Sequence, residues 1–251
     1  MSEQQPTPIS FNALLPAYLR QLGYESFPCI VELGKRATVF TGTQVLLYER
    51  WKGWRGILEY LSFVEHARAH LIAVGSKNAN SNAIFIARYH SVVLVMLCRA
   101  TLDLSANWLA KTFDLKLRRK GHRVLGIELS RALRRKGLNH HATIIEERRQ
   151  FLNRLDAYRN AWVHRSMGGI IPVSNGKPDL PDSDPRLAVP IEPGLDAFSM
   201  EQTQYAARVA KCSEANNGRW LLNVEEFANA FADKTRDLCL DLLSGSLSHS
   251  A

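Results

Sequence analysis

Residues 140–167 read HHATIIEERRQFLNRLDAYRNAWVHRSM and carry the clearest amphipathic pattern of the chain. Successive large apolar residues are separated by seven, four, three and four positions, which aligns them on one face of an α-helix. This apolar stripe consists of Ile144, Phe151, Leu155, Tyr158 and Trp162, and it is widened by Ile145 and Leu152. The pattern predicts a helix whose stripe faces the core, and Gly168 and Gly169 predict where that helix ends.

Polar residues occupy the other side of this predicted helix. At about 100° per residue, Asn153, Asn160 and His164 point away from the stripe, and Arg159 lies at its edge. We therefore expect His164 to be accessible rather than buried in the core. Arg159 and His164 are about 140° apart on an ideal helix, so either the arginine curls round the helix or its partner comes from another chain.

Other parts of the chain also favour helices. Apolar residues recur at helical spacing over residues 44–74, as one long helix or two short ones, and again over 224–243. The segment 82–113 is apolar almost all round, so we expect it to be enclosed, either within the bundle or partly by the same helix of a second subunit. Six of the ten prolines lie within residues 171–195, which excludes a continuous helix there. That segment either covers a groove or is a connector without a role.

Composition sets wider bounds. With 251 residues and 46% hydrophobic content, the chain can bury a substantial core, which excludes disorder as a whole. The formal net charge of +8 favours polyanionic partners. The four cysteines are far apart and form no C-x-x-C pair, so we expect reduced core thiols rather than a zinc site or disulfides.

The longest apolar run, Val92 to Cys98, is too short to cross a bilayer, and the first residues do not have the pattern of a signal peptide. We therefore expect a soluble cytoplasmic protein that binds no membrane.

Basic residues are concentrated between positions 116 and 136. Nine of these 21 residues are lysine or arginine, and the segment contains a single acidic residue, Glu128. Such a density predicts either a track for RNA phosphates or a solvated basic surface. The candidate RNA-binding residues are Arg118, Arg119, Lys120, Arg123, Arg134, Arg135 and Lys136.

The hexapeptide 159–164, RNAWVH, carries the main functional signal. It resembles the Arg-Asn-x-x-x-His signature of the HEPN superfamily, helical proteins that include many metal-independent ribonucleases. The resemblance implies an all-α, HEPN-like helical bundle over residues 79–251, with a proline-rich loop at 168–199 inserted before the last helix. Residues 1–78 would form a mostly helical N-terminal extension. The resemblance also implies a homodimer in which Arg159, Asn160 and His164 of both subunits share one cleft.

The chemistry of RNA cleavage suits these residue types. RNA supplies its own nucleophile, the ribose 2′-hydroxyl, so the protein must supply a base, an acid and positive charge on the phosphorane. The His164 imidazole titrates near neutrality and can fill either proton-transfer role, while the Arg159 guanidinium matches phosphate oxygens. Asn160 lies one turn before His164 and can orient its ring or contact the phosphate. The resemblance, together with this chemistry, predicts a metal-independent RNA endonuclease without cofactors. It implies a toxin or defence effector that an antitoxin or another regulatory protein restrains.

Three alternatives remain open at this stage. The first is a non-catalytic HEPN module that dimerises and binds RNA or protein, with the motif residues capping the helix end. The second is a helical enzyme with a closed pocket lined by Arg99, Asp103 and His90. The third is a metal site at His66 and His70, which lie one turn apart but lack an evident third ligand.

Two further observations narrow these predictions. The residue two positions after His164 is Ser166 rather than tyrosine, so the sequence does not support an antitoxin that transfers a nucleotide to that position. A looser Arg-to-His match at Arg134 or Arg135 is interrupted by Gly137 and Asn139, which predicts a turn instead of a helical motif.

Overall fold

The computed structural model describes residues 45–75, 81–117, 125–164, 170–173, 186–195 and 201–248. Within these ranges the chain is mostly helical, which confirms the all-α prediction at the level of fold class. The helices are α1 (Val45–Gly75), α2 (Ser81–Thr112), α3 (Ile127–Arg135), α4 (Asn139–Glu147), α5 (Arg149–His164), α6 (Gln202–Ala215) and α7 (Val224–Ser248). The strands are β1 (Ile171–Val173), β2 (Arg186–Pro190) and β3 (Leu221–Asn223).

The residues divide into two compact units. The described part of the first unit consists of α1 as far as Glu65, α2 from Ala100, α3, α4, the start of α5 as far as Leu152, and α7 from Lys234. The second unit contains the remaining portions of these long helices, together with α6 and the three strands.

A short turn joins α3 to α4 in the first unit. Gly137 has a φ of +78°, a left-handed conformation that glycine adopts without steric strain. This turn confirms that Arg134 and Arg135 do not share one helix with the histidines that follow, His140 and His141.

His141 is fully buried, and its ring contacts that of Phe113 edge to face, with 5.2 Å between the ring centroids. His141 is therefore a core residue.

An aromatic cluster forms the core of the second unit where α5 and α7 pack together. The Tyr158 ring lies 5.1 Å from Trp162, 5.4 Å from Phe227 and 5.3 Å from Phe231, measured between ring centroids. All four side chains are buried. Aromatic pairs at these separations add to the stabilisation that burial of their area provides. The cluster fixes the apolar face of α5, as the stripe predicted.

The three strands form an antiparallel sheet in the order β1-β2-β3. The loop predicted over 168–199 has no helix within its described residues, as expected, but it contains the strands β1 and β2, which were not predicted. Prolines did not prevent this, because Pro172 lies in an edge strand and Pro190 is the last residue of β2, positions that tolerate a missing N–H. Within loop 168–199, residues 168–169, 174–185 and 196–199 lie outside the described part.

Two predicted helices have the expected extents, and one is interrupted. Residues 45–75 form one helix rather than two, and α2 matches the apolar segment 82–113. The predicted helix over 140–167 consists of α4 and α5, because Arg148 adopts φ −87° and ψ 4° between them. Of the N-terminal extension predicted over 1–78, residues 1–44 and 76–78 lie outside the described part.

Helix α2 has two further properties. Residues Asn82–Thr112 are long and apolar enough to cross a membrane by length and composition, a property that core helices of soluble proteins share. The helix also buries polar side chains, among them Arg99, Thr101 and Ser105.

Cys98, Cys212 and Cys239 are free and buried, as predicted for core thiols. Burial raises the pKa of Cys239 to about 12.

Candidate functional site

The Arg-Asn pair of the hexapeptide lies near the end of α5. Tyr158 and Trp162, which flank it at helical spacing, are buried, whereas Arg159 is half-buried and Asn160 is exposed. Asn153, two turns earlier, is also exposed. The predicted division of this helix into an apolar face and a polar face is therefore confirmed. His164 is the last residue of α5, and its side chain lies outside the described part of the structure.

Tyr158 fixes the motif helix against the end of β2. Its hydroxyl is shared between two backbone carbonyl oxygens, that of Pro190 at 2.6 Å and that of Ile191 at 2.9 Å. Burial raises the pKa of Tyr158 to about 12, so the hydroxyl keeps its proton and remains a donor. Tyr158 therefore has contacts at both its ring and its hydroxyl. Because Tyr158 directly precedes Arg159 and Asn160, these contacts restrain the backbone at the motif.

A basic groove is the second candidate surface. It encloses about 590 Å³ in the first unit. The groove is lined by Lys116, Leu117, Glu128, Arg131, Arg134 and Arg135. Two of the predicted RNA-binding residues, Arg134 and Arg135, therefore contribute to one surface, while Lys136 caps the end of α3 and is not part of the lining. The predicted residues Arg118, Arg119, Lys120 and Arg123 lie outside the described part.

Glu146 neutralises one of the groove cations. Its carboxylate accepts hydrogen bonds from Arg134, at 3.2 Å from Nε and 2.5 Å from Nη2, and from the Ser130 hydroxyl at 2.5 Å. These two partners, Arg134 foremost, lower the pKa of Glu146 to about 2. Among the described residues, Arg131 and Arg135 have no such carboxylate partner. Lys116 likewise has none among the described residues, so these three cations of the groove are available to an anionic ligand.

Three histidines of the second unit form an imidazole cluster. His66 Nε2 and His70 Nε2 are 3.1 Å apart, and the His90 ring stacks on that of His70 with centroids 4.6 Å apart. Burial lowers the pKa of His90, and the neighbouring His70 and His66 lower it further. The described residues include no group of three side chains suited to hold a metal ion.

The alternative of a closed small-molecule pocket receives no support from the described cavities. Neither of the two is lined by Arg99, Asp103 or His90. Arg99 forms an ion pair with Asp156 of the motif helix instead, and His90 belongs to the imidazole cluster.

A second described cavity was missed by the sequence reasoning. It lies in the second unit, and its cations are Arg154, Arg208 and Lys211. Arg208 and Lys211 lie on α6, a helix that was not predicted. Asn216, Asn217 and Gly218 could have signalled its end, because asparagine and glycine favour the left-handed turn in which Asn217 and Gly218 have φ of +53° and +83°.

Comparison of the chain with models of known families, with characterised proteins and with solved structures finds no match.

Proposed function

We propose that this protein is a metal-independent RNA endonuclease of HEPN type that acts as a homodimer. The observation that carries the proposal is the arrangement of α5. The helix buries Tyr158 and Trp162 on one face while it leaves Asn160 exposed, Arg159 half-buried and His164 at its last position. A helix end with this arrangement can offer a guanidinium, an amide and an imidazole to a phosphodiester.

In the proposed reaction, the imidazole of one His164 removes the proton from the ribose 2′-hydroxyl. The 2′-oxygen then attacks the adjacent phosphorus, and the bond from phosphorus to the 5′-oxygen breaks. The protonated His164 of the partner subunit gives its proton to that leaving oxygen. The products are a 2′,3′-cyclic phosphate and a 5′-hydroxyl end. Arg159 would stabilise the negative charge of the phosphorane, because its guanidinium stays protonated and pairs with phosphate oxygens.

An exposed apolar stripe on α2 supports a second copy as the partner. Phe85 and Tyr89 are 68% and 60% exposed, and Met96 is 39% exposed. Spacings of four and seven place these residues on one helix face. We propose that this stripe packs against the same stripe of another subunit, since an extended exposed apolar surface is typical of an association site.

Cleavage of RNA also suggests a biological setting. An enzyme that cuts RNA in its own cytoplasm must be restrained, so we propose a toxin or defence effector held silent by an antitoxin or another regulatory protein. The basic groove at Arg131 and Arg135 would add affinity for RNA through phosphate contacts, which carry no base specificity.

The test is incubation of the purified protein with end-labelled RNA in excess EDTA. We expect cleavage that yields cyclic phosphate ends, and we expect His164→Ala to reduce the rate by about 10²- to 10⁴-fold. Arg159→Ala should also reduce it, with dimers retained. Asn153→Ala is the matched control for Asn160→Ala, because both asparagines are exposed on the same face of α5. Equal rates for these two asparagine variants would argue against a role for Asn160.

A non-catalytic RNA-binding module is the second candidate, and the basic groove favours it. The groove belongs to the first unit and its cations are independent of the hexapeptide. If the unmodified protein never cuts RNA but binds it, and Arg131→Ala with Arg135→Ala abolishes that binding, the module explains the molecule and the nuclease proposal is wrong.

A further inference from the structure

Two histidines of α1 turn the same ring nitrogen towards each other at the surface of the second unit. His66 and His70 lie one helical turn apart, and both are exposed. Their Nε2 atoms are 3.1 Å apart, and the rings meet edge to face. Imidazole nitrogen is a common ligand of transition-metal ions, so a pair of such nitrogens at the surface is a candidate metal site.

The separation of the two nitrogens matches that of neighbouring ligands on one metal ion. Such an ion binds imidazole nitrogen at about 2.0–2.1 Å. Two nitrogens at that distance are about 2.9 Å apart when their bonds meet at a right angle and about 3.4 Å apart at the tetrahedral angle. The observed 3.1 Å lies between these values. A cation can therefore reach both nitrogens through small rotations of two exposed side chains, without displacement of α1.

Helix α1 holds both ligands in register. Side chains four residues apart lie on the same face of an α-helix. Between the two histidines, Arg68 forms an ion pair with Asp233 of α7 at 2.9 Å, and Leu71 is fully buried. Packing therefore restrains the backbone that carries His66 and His70. Less entropy is lost when two ligands held in this way bind one ion.

His90 of α2 orients one of the two ligands. Its ring is stacked on that of His70, with 4.6 Å between the centroids and 7° between the ring planes. The nitrogens of stacked rings point within two parallel planes, so His90 does not share an ion with His70 in this orientation. Within the described ranges no third side chain completes a metal site. His90 is thus a positioning residue, and water would fill the other coordination positions.

The charge of His90 also favours a nearby cation. Burial lowers the pKa of His90, and the neighbouring His70 and His66 lower it further. The neutral form of this ring is therefore favoured, and a neutral ring does not repel a metal ion bound beside it.

The donor atoms select the class of cation. Imidazole suits Zn²⁺, Ni²⁺ and Cu²⁺, whereas Mg²⁺ and Ca²⁺ prefer oxygen ligands. Among the first three ions, Cu²⁺ generally has the highest affinity for a given nitrogen site. We propose that His66 and His70 form a two-imidazole site for a divalent transition-metal ion, which binds Cu²⁺ more tightly than Zn²⁺. The proposal does not depend on the proposed RNA cleavage, which uses no metal.

Titration calorimetry of the full chain with Cu²⁺, Zn²⁺ and Mg²⁺ tests the site at about pH 7.5, where an ordinary imidazole is mostly neutral. We expect Cu²⁺ to bind most tightly, Zn²⁺ more weakly, and Mg²⁺ not to bind measurably. His66→Gln and His70→Gln should each weaken Zn²⁺ binding by at least about tenfold, since even residues that only orient a ligand contribute about 10- to 100-fold. Paramagnetic resonance of the Cu²⁺ complex should show coupling to two imidazole nitrogens, and to one in His70→Gln.

Two changes at His90 separate positioning from coordination. His90→Phe keeps a ring stacked on His70 and should retain Zn²⁺ binding. His90→Ala removes the stacked ring and should weaken binding by about tenfold. His140→Gln is the matched control, because His140 is an exposed histidine of α4 with no histidine one turn away. It should bind Zn²⁺ as the unmodified protein does.

The outcomes that contradict the site are equally specific. Zn²⁺ binding that survives both His66→Gln and His70→Gln would overturn the proposal, as would no binding by the unmodified protein or equal binding of Mg²⁺. Loss of binding in His90→Phe would show that the two α1 histidines alone do not make the site. Thermal melting without metal checks that each variant folds, and if one of the α1 variants unfolds, the other decides the test.

Discussion

Arg99 of α2 and Asp156 of α5 form an ion pair, with 3.1 Å between Nη1 and Oδ1. The Arg99 side chain is only 6% exposed, whereas that of Asp156 is 37% exposed. A cation this deeply buried depends on nearby negative charge. The pair also ties the helix that carries the hexapeptide to α2, one turn before Asn160.

Removing the carboxylate charge at this pair should destabilise the second unit. Asp156→Asn keeps the side-chain shape but leaves Arg99 without this counter-charge, and we expect a loss of about 1–2 kcal/mol. This is below the cost of breaking a fully buried pair, because solvent screens the partly exposed Asp156. Urea unfolding would measure the change. Glu147→Gln, at an exposed acid of α4, is the control. An equal loss of stability in both variants would show that the ion pair makes no specific contribution to the free energy of unfolding.

The Tyr158 hydroxyl should contribute to stability through the end of β2. Tyr158→Phe preserves the aromatic cluster but leaves the carbonyl oxygens of Pro190 and Ile191 without this donor. We expect a loss of about 1–3 kcal/mol, the cost of unsatisfied buried acceptors. Thermal or urea unfolding would measure it, with Tyr60→Phe as the control at a half-buried tyrosine of α1. A variant as stable as the unmodified protein would show that water replaces the hydroxyl without cost.

Local periodicity explains why the helices of this chain were predictable. The stripe from Ile144 to Trp162 is buried as expected, because side-chain spacing on a helix depends on neighbours in sequence alone. The same reasoning placed Asn153 and Asn160 on the exposed face. The break at Arg148 was not predictable in this way, since the apolar spacing continues across it and only the backbone angles of one residue differ.

Features that depend on distant residues were missed. Strands β1 and β2 are short, proline-containing segments that gain their hydrogen bonds from each other and from β3, more than 30 positions beyond β2. The cavity at Arg154 likewise joins α5 to residues of the 191–193 turn and of α6. Nothing in the spacing around Arg154 distinguishes it from a solvated arginine, since folding alone brings the facing residues to it.

Acid should weaken the first unit through Glu146. The folded-state pKa of this carboxyl is about 2, below its ordinary value of 4.5, because Arg134 and Ser130 bind the charged form. The unfolded chain therefore takes up this proton first, so the contribution is fully present above pH 4.5 and is lost as the pH falls towards 2. Urea midpoints measured across this window should fall less steeply for Glu146→Gln than for the unmodified protein. Glu147→Gln, the adjacent exposed acid, should retain the unmodified pH dependence, and a parallel curve for Glu146→Gln would refute the prediction.

The exposed stripe of α2 should determine the oligomeric state. Phe85→Glu places a charge in the proposed contact between two copies, where a buried, unpaired carboxylate opposes association. We expect the variant to elute as a monomer in size-exclusion chromatography with light scattering, and to lose RNA cleavage because the composite site needs both subunits. Gln204→Glu is the control, since it adds the same charge at an exposed residue of α6, outside the helix that carries the stripe. A monomeric unmodified protein that still cuts RNA would refute the composite site, whereas a dimer that tolerates Phe85→Glu would place the subunit contact elsewhere on the protein.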